Sequence, residues 1–297
     1  MIILVKVKVP CSSANLGPGF DCIGIGLNLY NTFNISEIHS GLLIEGCPKE
    51  YQNTDNIIYR AMEIIFKEVS YNPTGIKISI ESNIPISRGL GSSSSCIIGG
   101  MMAANYLSGN KLSKESIANL ATRMEGHPDN VIPCLFGGLI VSLFNGKETY
   151  YEKINFNSKI KFFAMFPNFN LETKKARNIL PKELDFRFAM SNIATSSFLV
   201  ASIANNNFRN IKHSMKNVIH ESFRETLIPN FSEIKNKALE FHALGVYLSG
   251  AGPTIMAIVS EDNLDFKKNM TEFIKNLDNM WIVKELSLCN EGTTIYK

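Results

Sequence analysis

The run Pro85-Ile86-Ser87-Arg88-Gly89-Leu90-Gly91-Ser92-Ser93-Ser94-Ser95 sets two glycines and four consecutive serines directly ahead of an apolar stretch, Cys96 to Leu107. A glycine- and serine-rich turn that opens a helix presents unpaired backbone N–H groups and the positive end of the helix dipole, which suits phosphate. Gly89 and Gly91 let the backbone approach an anion with no Cβ in the way. The serine hydroxyls add ligands for phosphate oxygens or for a metal ion. No Gly-Lys-Ser/Thr follows the glycines, and Gly-x-Gly-x-x-Gly is absent, so neither the Walker loop nor the dinucleotide fingerprint is present. Backbone and serines are therefore expected to hold the anion, with Arg88 or a metal neutralising its charge.

Three further segments carry candidate chemistry. Pro10-Cys11-Ser12-Ser13-Ala14-Asn15-Leu16-Gly17-Pro18-Gly19-Phe20-Asp21 offers an amide, Asn15, and a carboxylate, Asp21, on a loop expected to follow the first strand. Glu125-Gly126-His127-Pro128-Asp129-Asn130 crowds polar side chains at what reads as a helix end, with Pro128 stopping the helix. A carboxylate there could hold Mg²⁺, which prefers oxygen ligands. One histidine without a nearby cysteine does not suit zinc. Tyr247-Leu248-Ser249-Gly250-Ala251-Gly252-Pro253-Thr254 would allow close backbone approach to a ligand or to the other glycine loop. Two isolated arginines, Arg177 and Arg224, have the planar fork that suits carboxylate or phosphate.

The elements that must position these groups read as strands and helices mixed in both halves. Strands are expected at 2–9, 32–38, 75–81 and 137–144, with helices at 56–69, 96–107 and 114–124. The second half reads as strands at 160–166, 244–248, 254–259 and 281–288, with helices at 186–204, 208–219, 230–242 and 262–276. This pattern predicts an α+β fold of two domains, 1–155 and 156–297, divided in the polar segment around Tyr150 to Ser158. At 297 residues, 45% hydrophobic and 19% charged, the chain has the composition of a globular enzyme. A net charge of +3 without a basic stripe argues against a nucleic-acid partner. Met1 to Val9 is too short and too charged for a signal sequence, and no apolar run approaches bilayer length. The six cysteines are scattered without a Cys-x-x-Cys pair. A cytoplasmic protein without a membrane partner is expected.

Taken together and in order, the three glycine-rich segments resemble the GHMP kinases, a family of small-molecule kinases. Pro10 to Asp21 is similar to the opening signature of the branch that acts on homoserine. Gly126 to Asn130, Thr173 to Arg177 before Leu180-Pro181, and Phe223-Arg224 before Leu227-Ile228-Pro229 fit the same branch. The resemblance implies a GHMP kinase fold, with an N-terminal domain like the second domain of ribosomal protein S5 and a ferredoxin-like C-terminal domain. It implies ATP-dependent phosphorylation of the side-chain hydroxyl of L-homoserine to O-phospho-L-homoserine, in the route to threonine, and a possible homodimer. On this resemblance Pro85 to Ser95 wraps the ATP phosphates, Asn56 and Ile57 line the base, and Ser93 and Glu125 hold Mg²⁺. Asn15, Asp21, His127, Arg177 and Arg224 match substrate-binding positions, and Asn15, Glu125, Asn130 and Arg177 match catalytic ones. Asp21 suits the ammonium of a zwitterion, and the two arginines suit its carboxylate. Asn130 stands where many relatives have an aspartate, and an amide cannot accept a proton as a base. Ser95 and Cys96 stand where alanine and another small residue are usual. Competing readings are a kinase of the same superfamily acting on mevalonate or shikimate, and a non-catalytic binding module.

Overall fold

The computed structural model describes residues 4–156 and 159–296. The elements run β1 (Leu4–Asn15), β2 (Gly19–Glu37), β3 (Gly41–Glu45), α1 (Ile57–Glu68), β4 (Gly75–Glu81), α2 (Ser92–Leu107), α3 (Lys114–Glu125), α4 (Pro128–Phe136), β5 (Leu139–Phe144) and β6 (Thr149–Ile154). They continue as β7 (Ile160–Phe166), α5 (Thr173–Asn178), α6 (Phe186–Ala204), α7 (Ile211–Ser214), α8 (Glu221–Arg224), α9 (Phe231–Glu240), β8 (Gly245–Leu248), β9 (Ile255–Ser260), α10 (Phe266–Ile274), β10 (Ile282–Leu286) and β11 (Thr294–Tyr296).

One sheet has the order β11-β1-β2-β4-β3, with β5 on β2 and β6 on β5; the second has the order β10-β7-β9-β8. In the first, Val5, Val7, Val9, Phe33 and Ile35 alternate inward against Ile58, Met62, Ile97 and Met101 of α1 and α2. This is the period of two meeting the period of 3.6 on one apolar layer. A separate core under the second sheet joins Phe163, Val246 and Ala257 to Phe266 and Met270 of α10. The last strand, β11, pairs antiparallel with β1, so residues 294–296 return to the first sheet rather than staying with the second half.

Several elements differ from expectation. The loop expected from Pro10 is strand as far as Asn15, paired with β2 from Cys11↔Leu27 to Asn15↔Gly19 with register shifts at Pro10/Cys11 and Ala14/Asn15. Proline, which has no N–H to donate, sits where the ladder is broken. The strand expected at 32–38 begins at Gly19. Helix α2 begins at Ser92, so the four serines form its first turn. Pro128 does not simply stop a helix: α3 ends on Gly126 at φ 94, and Pro128 opens α4. Proline fits the first helical position because that N–H has no intrahelical partner. His127 is thus the residue before a helix N-terminus. The polar segment placed at the domain boundary is partly strand β6, and its Asn157 and Ser158 lie outside the described residues, as do residues 2 and 3 of the first expected strand. The helix expected over 208–219 is reduced to a 3₁₀ turn and the four residues of α7.

Candidate active site

A cavity of about 420 Å³ lies between the two halves of the chain, within the range of small-molecule sites. Ile86 to Gly89, Gly91 and Ser92 to Ser94 form one wall, whereas Pro85, Leu90 and Ser95 of the expected loop do not line it. Gly91 caps α2 at φ 66, and the first intrahelical bond runs from Ser95 N–H to Gly91 O at 2.9 Å. The N–H groups of Ser92, Ser93 and Ser94 therefore have no intrahelical partner, as an anion site at a helix start requires.

The 247–254 segment braces this loop from the second half. Ser249 Oγ donates to Gly89 O at 2.5 Å, and Thr254 Oγ1 donates to Arg88 O. At φ +75 and with Ser249 O 2.4 Å from where a Cβ would sit, Gly89 has no room for a side chain. Gly89→Ala must displace backbone rather than a flexible side-chain end. It is expected to destabilise the protein by at least about 2 kcal/mol, read as a shift in the urea midpoint at constant m.

Arg88, expected as a counter-charge, keeps its charge beside the loop but has its donors directed elsewhere. Its guanidinium donates to Pro167 O at 2.7 Å, to Ile86 O at 2.9 Å and to Asn170 Oδ1 at 2.5 Å. The loop's one cation is thereby committed to carbonyl and amide oxygens that tie the loop to the second half. At the far end of the cavity, Asn56 and Ile57 stand with Pro48, Tyr51, Ile80 and Cys96 along a mostly apolar wall. The Asn56 side chain is itself engaged: Oδ1 accepts Ile58 N–H at 2.9 Å and Nδ2 donates to Tyr51 O at 2.7 Å. It shapes the start of α1 and leaves the wall its apolar character.

Across from the loop, Glu125 ends α3. Its carboxylate accepts Ser93 Oγ at 3.1 Å and Ser94 Oγ at 2.8 Å. Two hydroxyls and a carboxylate converge beside the free N–H groups of α2. That set of hard oxygens fits Mg²⁺.

The opposite end of the cavity gathers a carboxylate, an amide and two guanidiniums. Asn15, at φ 74, accepts Asp21 N–H on Oδ1 at 3.2 Å and donates from Nδ2 to Gly250 O at 3.0 Å. Arg177 Nη1 and Nη2 donate to Asp21 Oδ2 and Oδ1 at 3.1 and 2.8 Å, a two-pronged pair. The sequence suggested that Asp21 and the arginines face different charges of a ligand; here Asp21 and Arg177 face each other. Burial lowers the Arg177 pKa, but the bond to Asp21 and its charge outweigh that and leave it raised.

Arg224 is only 2% exposed. Its Nε donates to Ala176 O at 3.0 Å and its Nη1 to Gly250 O at 2.8 Å, and no described residue pairs with Nη2. Burial first, then the charge of Arg177, push its pKa down to about 10, which still leaves it charged at neutral pH. Both cations lie against Phe20: its ring centroid is 5.2 Å from Arg224 and 5.8 Å from Arg177. The negative ring face offsets part of the repulsion between the two guanidiniums. Behind Phe20 lies the buried His220, 4.9 Å away and stacked, with Nε2 donating to Gly17 O at 3.1 Å. Burial and Arg224 push that imidazole down to about 3, so it is neutral and adds no third cation.

His127 and Asp129 form a second polar pair, Nδ1 to Oδ1 at 2.5 Å. Burial depresses the imidazole, but Asp129, with the charges of Asp21 and Glu125, reverses this and raises its pKa. Asn130 accepts Ser12 Oγ on Oδ1 at 2.8 Å. The geometry thus brings Asn15, Asp21, His127, Asn130, Arg177 and Arg224 to one end and Ser93 and Glu125 toward the other. Sequence reasoning missed Ser12, Phe20 and the carbonyl of Gly250 as parts of this arrangement. All three lie in segments singled out for glycines, and nothing local marks them beyond that.

The GHMP kinases N terminal domain pattern matches residues 56–138, and the GHMP kinases C terminal pattern matches residues 199–275. The chain belongs to the GHMP kinase family. A homoserine kinase of Clostridium botulinum (strain ATCC 19397 / Type A) is 44% identical over 292 residues, covering 98% of each chain. A homoserine kinase of Clostridium beijerinckii is 45% identical over 293 residues, again 98% of each. The crystal structure of homoserine kinase from Cytophaga hutchinsonii superposes with a TM-score of 0.89 at 27% identity, covering 99% of this chain and 97% of that one. Mevalonate kinase of L. major, at 16% identity and a TM-score of 0.73, shares the fold.

Proposed function

We propose that this chain catalyses ATP-dependent phosphorylation of the side-chain hydroxyl of L-homoserine to O-phospho-L-homoserine, a step towards threonine. One observation carries the reading beyond the family. A single cavity joins an anion-binding helix start, with Glu125 beside it, to a pocket holding one carboxylate and two guanidiniums.

The backbone of Gly89 to Ser94 receives the ATP phosphates, and the apolar wall beyond Asn56 and Ile57 receives the base. Mg²⁺, held by Ser93 and Glu125, would neutralise charge shared between the phosphates. Arg224, through its unpaired Nη2, takes the substrate carboxylate, with Arg177 beside it. Asp21, His127 and Asp129 surround the ammonium with net negative charge. In the transfer, the substrate hydroxyl oxygen bonds to the γ-phosphorus as the bond to the β–γ bridging oxygen of ATP breaks. ADP leaves with that oxygen.

Among the described residues near the cavity, the two side chains that adjoin the reacting position are both engaged. Asn130 is an amide whose Oδ1 is occupied by Ser12, and Asp129 Oδ1 is held by His127. The proton passes to a phosphate oxygen or to water, and catalysis rests on positioning and on stabilising charge. Asp129→Asn is therefore expected to raise KM for homoserine through a misplaced His127 while kcat falls less than about tenfold. Loss of turnover with binding and fold intact would make Asp129 the base. ADP release measured with homoserine, mevalonate, shikimate and galactose tests the substrate. Homoserine should be preferred, and inactivity on it would sink the reading.

Among the described residues no helix is long and apolar enough to cross a membrane. We place the enzyme in the cytoplasm because all six cysteines are free thiols, the state a reducing compartment maintains. Its partners on this reading are ATP with Mg²⁺, the amino-acid substrate and a second copy of the chain.

A further inference from the structure

We propose that Glu221 is a positioning residue for the substrate carboxylate: it registers the turn that carries Arg224 against the segment that carries the carbonyl of Gly250. The inference rests on the reading of Arg224 as the carboxylate receptor. Glu221 does not line the cavity, and it is only 3% exposed. Its Oε2 accepts Leu248 N–H at 2.9 Å, and its Oε1 accepts Lys235 Nζ of α9. Holding a carboxylate out of water is costly, and an apolar pair of similar volume often serves stability as well or better. The reason for this charge lies in what it holds in place.

It holds a turn that cannot fix itself. α8 is four residues long, Glu221–Arg224, far below the length at which a helix stands alone. Its direction must come from side-chain contacts. At its start Asn217 Nδ2 and His220 Nε2 both donate to Gly17 O. One carbonyl is a pivot, about which the turn could still swing. Glu221 and Arg224, three residues apart, share a face of the turn. They meet the chain leaving β8 as two rungs, Glu221 on Leu248 N–H and Arg224 Nη1 on Gly250 O at 2.8 Å. Two rungs fix a rotation that one leaves open.

The segment on the far side of these rungs is held without Glu221. Gly250 N–H donates to Ala14 O at 3.2 Å, and Gly250 O accepts Asn15 Nδ2 at 3.0 Å. Ser249 N–H donates to Thr254 O at 2.9 Å, and its Oγ lies 2.7 Å from Ser13 Oγ. A change at Glu221 therefore moves α8 rather than the segment. The brace from Ser249 Oγ to Gly89 O on the phosphate loop stays as it is. A swing of α8 carries Arg224 Nη2 away from the place where a carboxylate would meet it. A displacement of about 1 Å is enough, because binding groups must be held to within about 0.5 Å by the contacts behind them. The second rung needs the reach of the side chain more than its charge.

Varying length and charge separately at this position provides the test. Glu221→Asp keeps the charge but falls one methylene short of Leu248 N–H, so KM for L-homoserine should rise about tenfold, the low end of what a lost supporting contact costs. Its kcat and its KM for ATP should stay within about twofold of wild type. Glu221→Gln keeps an oxygen at the same reach and should retain the wild-type KM to within about threefold. The double variant Glu221→Met with Lys235→Met exchanges the ion pair for apolar groups, which folds tolerate. It should match Glu221→Asp, so the test stands even if the aspartate variant does not fold. On 3-aminopropan-1-ol, which lacks the carboxylate, these variants should equal the wild type. Phenylglyoxal labelling with peptide mass mapping reads the guanidinium without any substrate. Arg224 should be protected in the wild type and in Glu221→Gln, and labelled in Glu221→Asp and the double variant. Arg224 protected throughout would overturn the proposal. So would an equal loss on both alcohols, or a Glu221→Gln enzyme as impaired as Glu221→Asp. A wild type inactive on homoserine would end the reading of the substrate, whereas the labelling would still decide whether Glu221 places Arg224.

Discussion

Glu125→Gln is expected to lower kcat on the order of 10³-fold with the fold intact, because the substitution keeps the shape of the side chain and removes its charge. The carboxylate accepts Ser93 and Ser94 at 3.1 and 2.8 Å, beside the helix start proposed to receive the phosphates. Among the described residues of this cavity end it is the group able to hold a divalent cation against the phosphate oxygens. Arg88 cannot compensate, since its guanidinium is spent on Pro167, Ile86 and Asn170. Removing one preorganised contact to developing charge typically costs about 10²–10³ in kcat, and losing a metal's share of charge stabilisation costs several kcal/mol. The amide keeps one oxygen for the serine hydroxyls, so α2 and α3 should stay docked and the melting temperature should move by only a few degrees. Steady-state rates over a Mg²⁺ titration provide the measurement, with the variant requiring more metal to reach a lower plateau. A rate within tenfold of wild type at unchanged Mg²⁺ demand would remove Glu125 from the metal role.

Much of this site was legible because its chemistry is local. Gly89, Gly91 and the serines after them mark a turn into a helix by spacing alone, and α2 begins at Ser92, four residues ahead of the expected start. Strand β1 was cut short at Pro10 because Cys11-Ser12-Ser13-Ala14 is small and buried throughout, without the alternation that marks a half-exposed strand. Helix α4 was hidden by Pro128 and Pro133. The first opens the helix; the second leaves Asp129 O without its helical N–H, close beside Gly24, where a Cβ would come within 1.8 Å of that oxygen. The pairings that assign roles are non-local. Asp21 meets Arg177 across 156 residues, and Arg224 meets Gly250 O across 26, with α9 and β8 between them. Residue types could show that Arg88 is a cation near a glycine loop; only the fold shows that its N–H donors are already engaged elsewhere.

Arg224→Met is the complementary expectation at the other end of the cavity: KM for L-homoserine should rise up to about 10²-fold while KM for ATP stays within a factor of two or so. A hydrogen bond to a charged group in a desolvated site is worth about 1.5–3 kcal/mol, and one tenfold step corresponds to about 1.4 kcal/mol. Loss of the Nη2 donor leaves the buried carboxylate short of a charged partner, which at the upper end of that range gives about two such steps. Stability should change little, because two effects oppose. Methionine removes the cost of holding a charge at 2% exposure, which has pushed the Arg224 pKa down to about 10. Against this, Ala176 O loses the donor it has at 3.0 Å, whereas Gly250 O keeps Asn15 Nδ2 at 3.0 Å. The two contributions are each about 1–3 kcal/mol and of opposite sign. A substrate truncation isolates the carboxylate contact from any general disturbance. 3-Aminopropan-1-ol keeps the ammonium and the hydroxyl but lacks the carboxylate. It should be a poor substrate for the wild type and no poorer for Arg224→Met, since the contact deleted from the enzyme is already missing from the ligand. A variant that loses the same factor on both alcohols has been damaged as a catalyst rather than as a carboxylate receptor. An unchanged KM for homoserine would mean that the buried guanidinium only braces Ala176 and Gly250, and the zwitterion would have to bind through Arg177 alone.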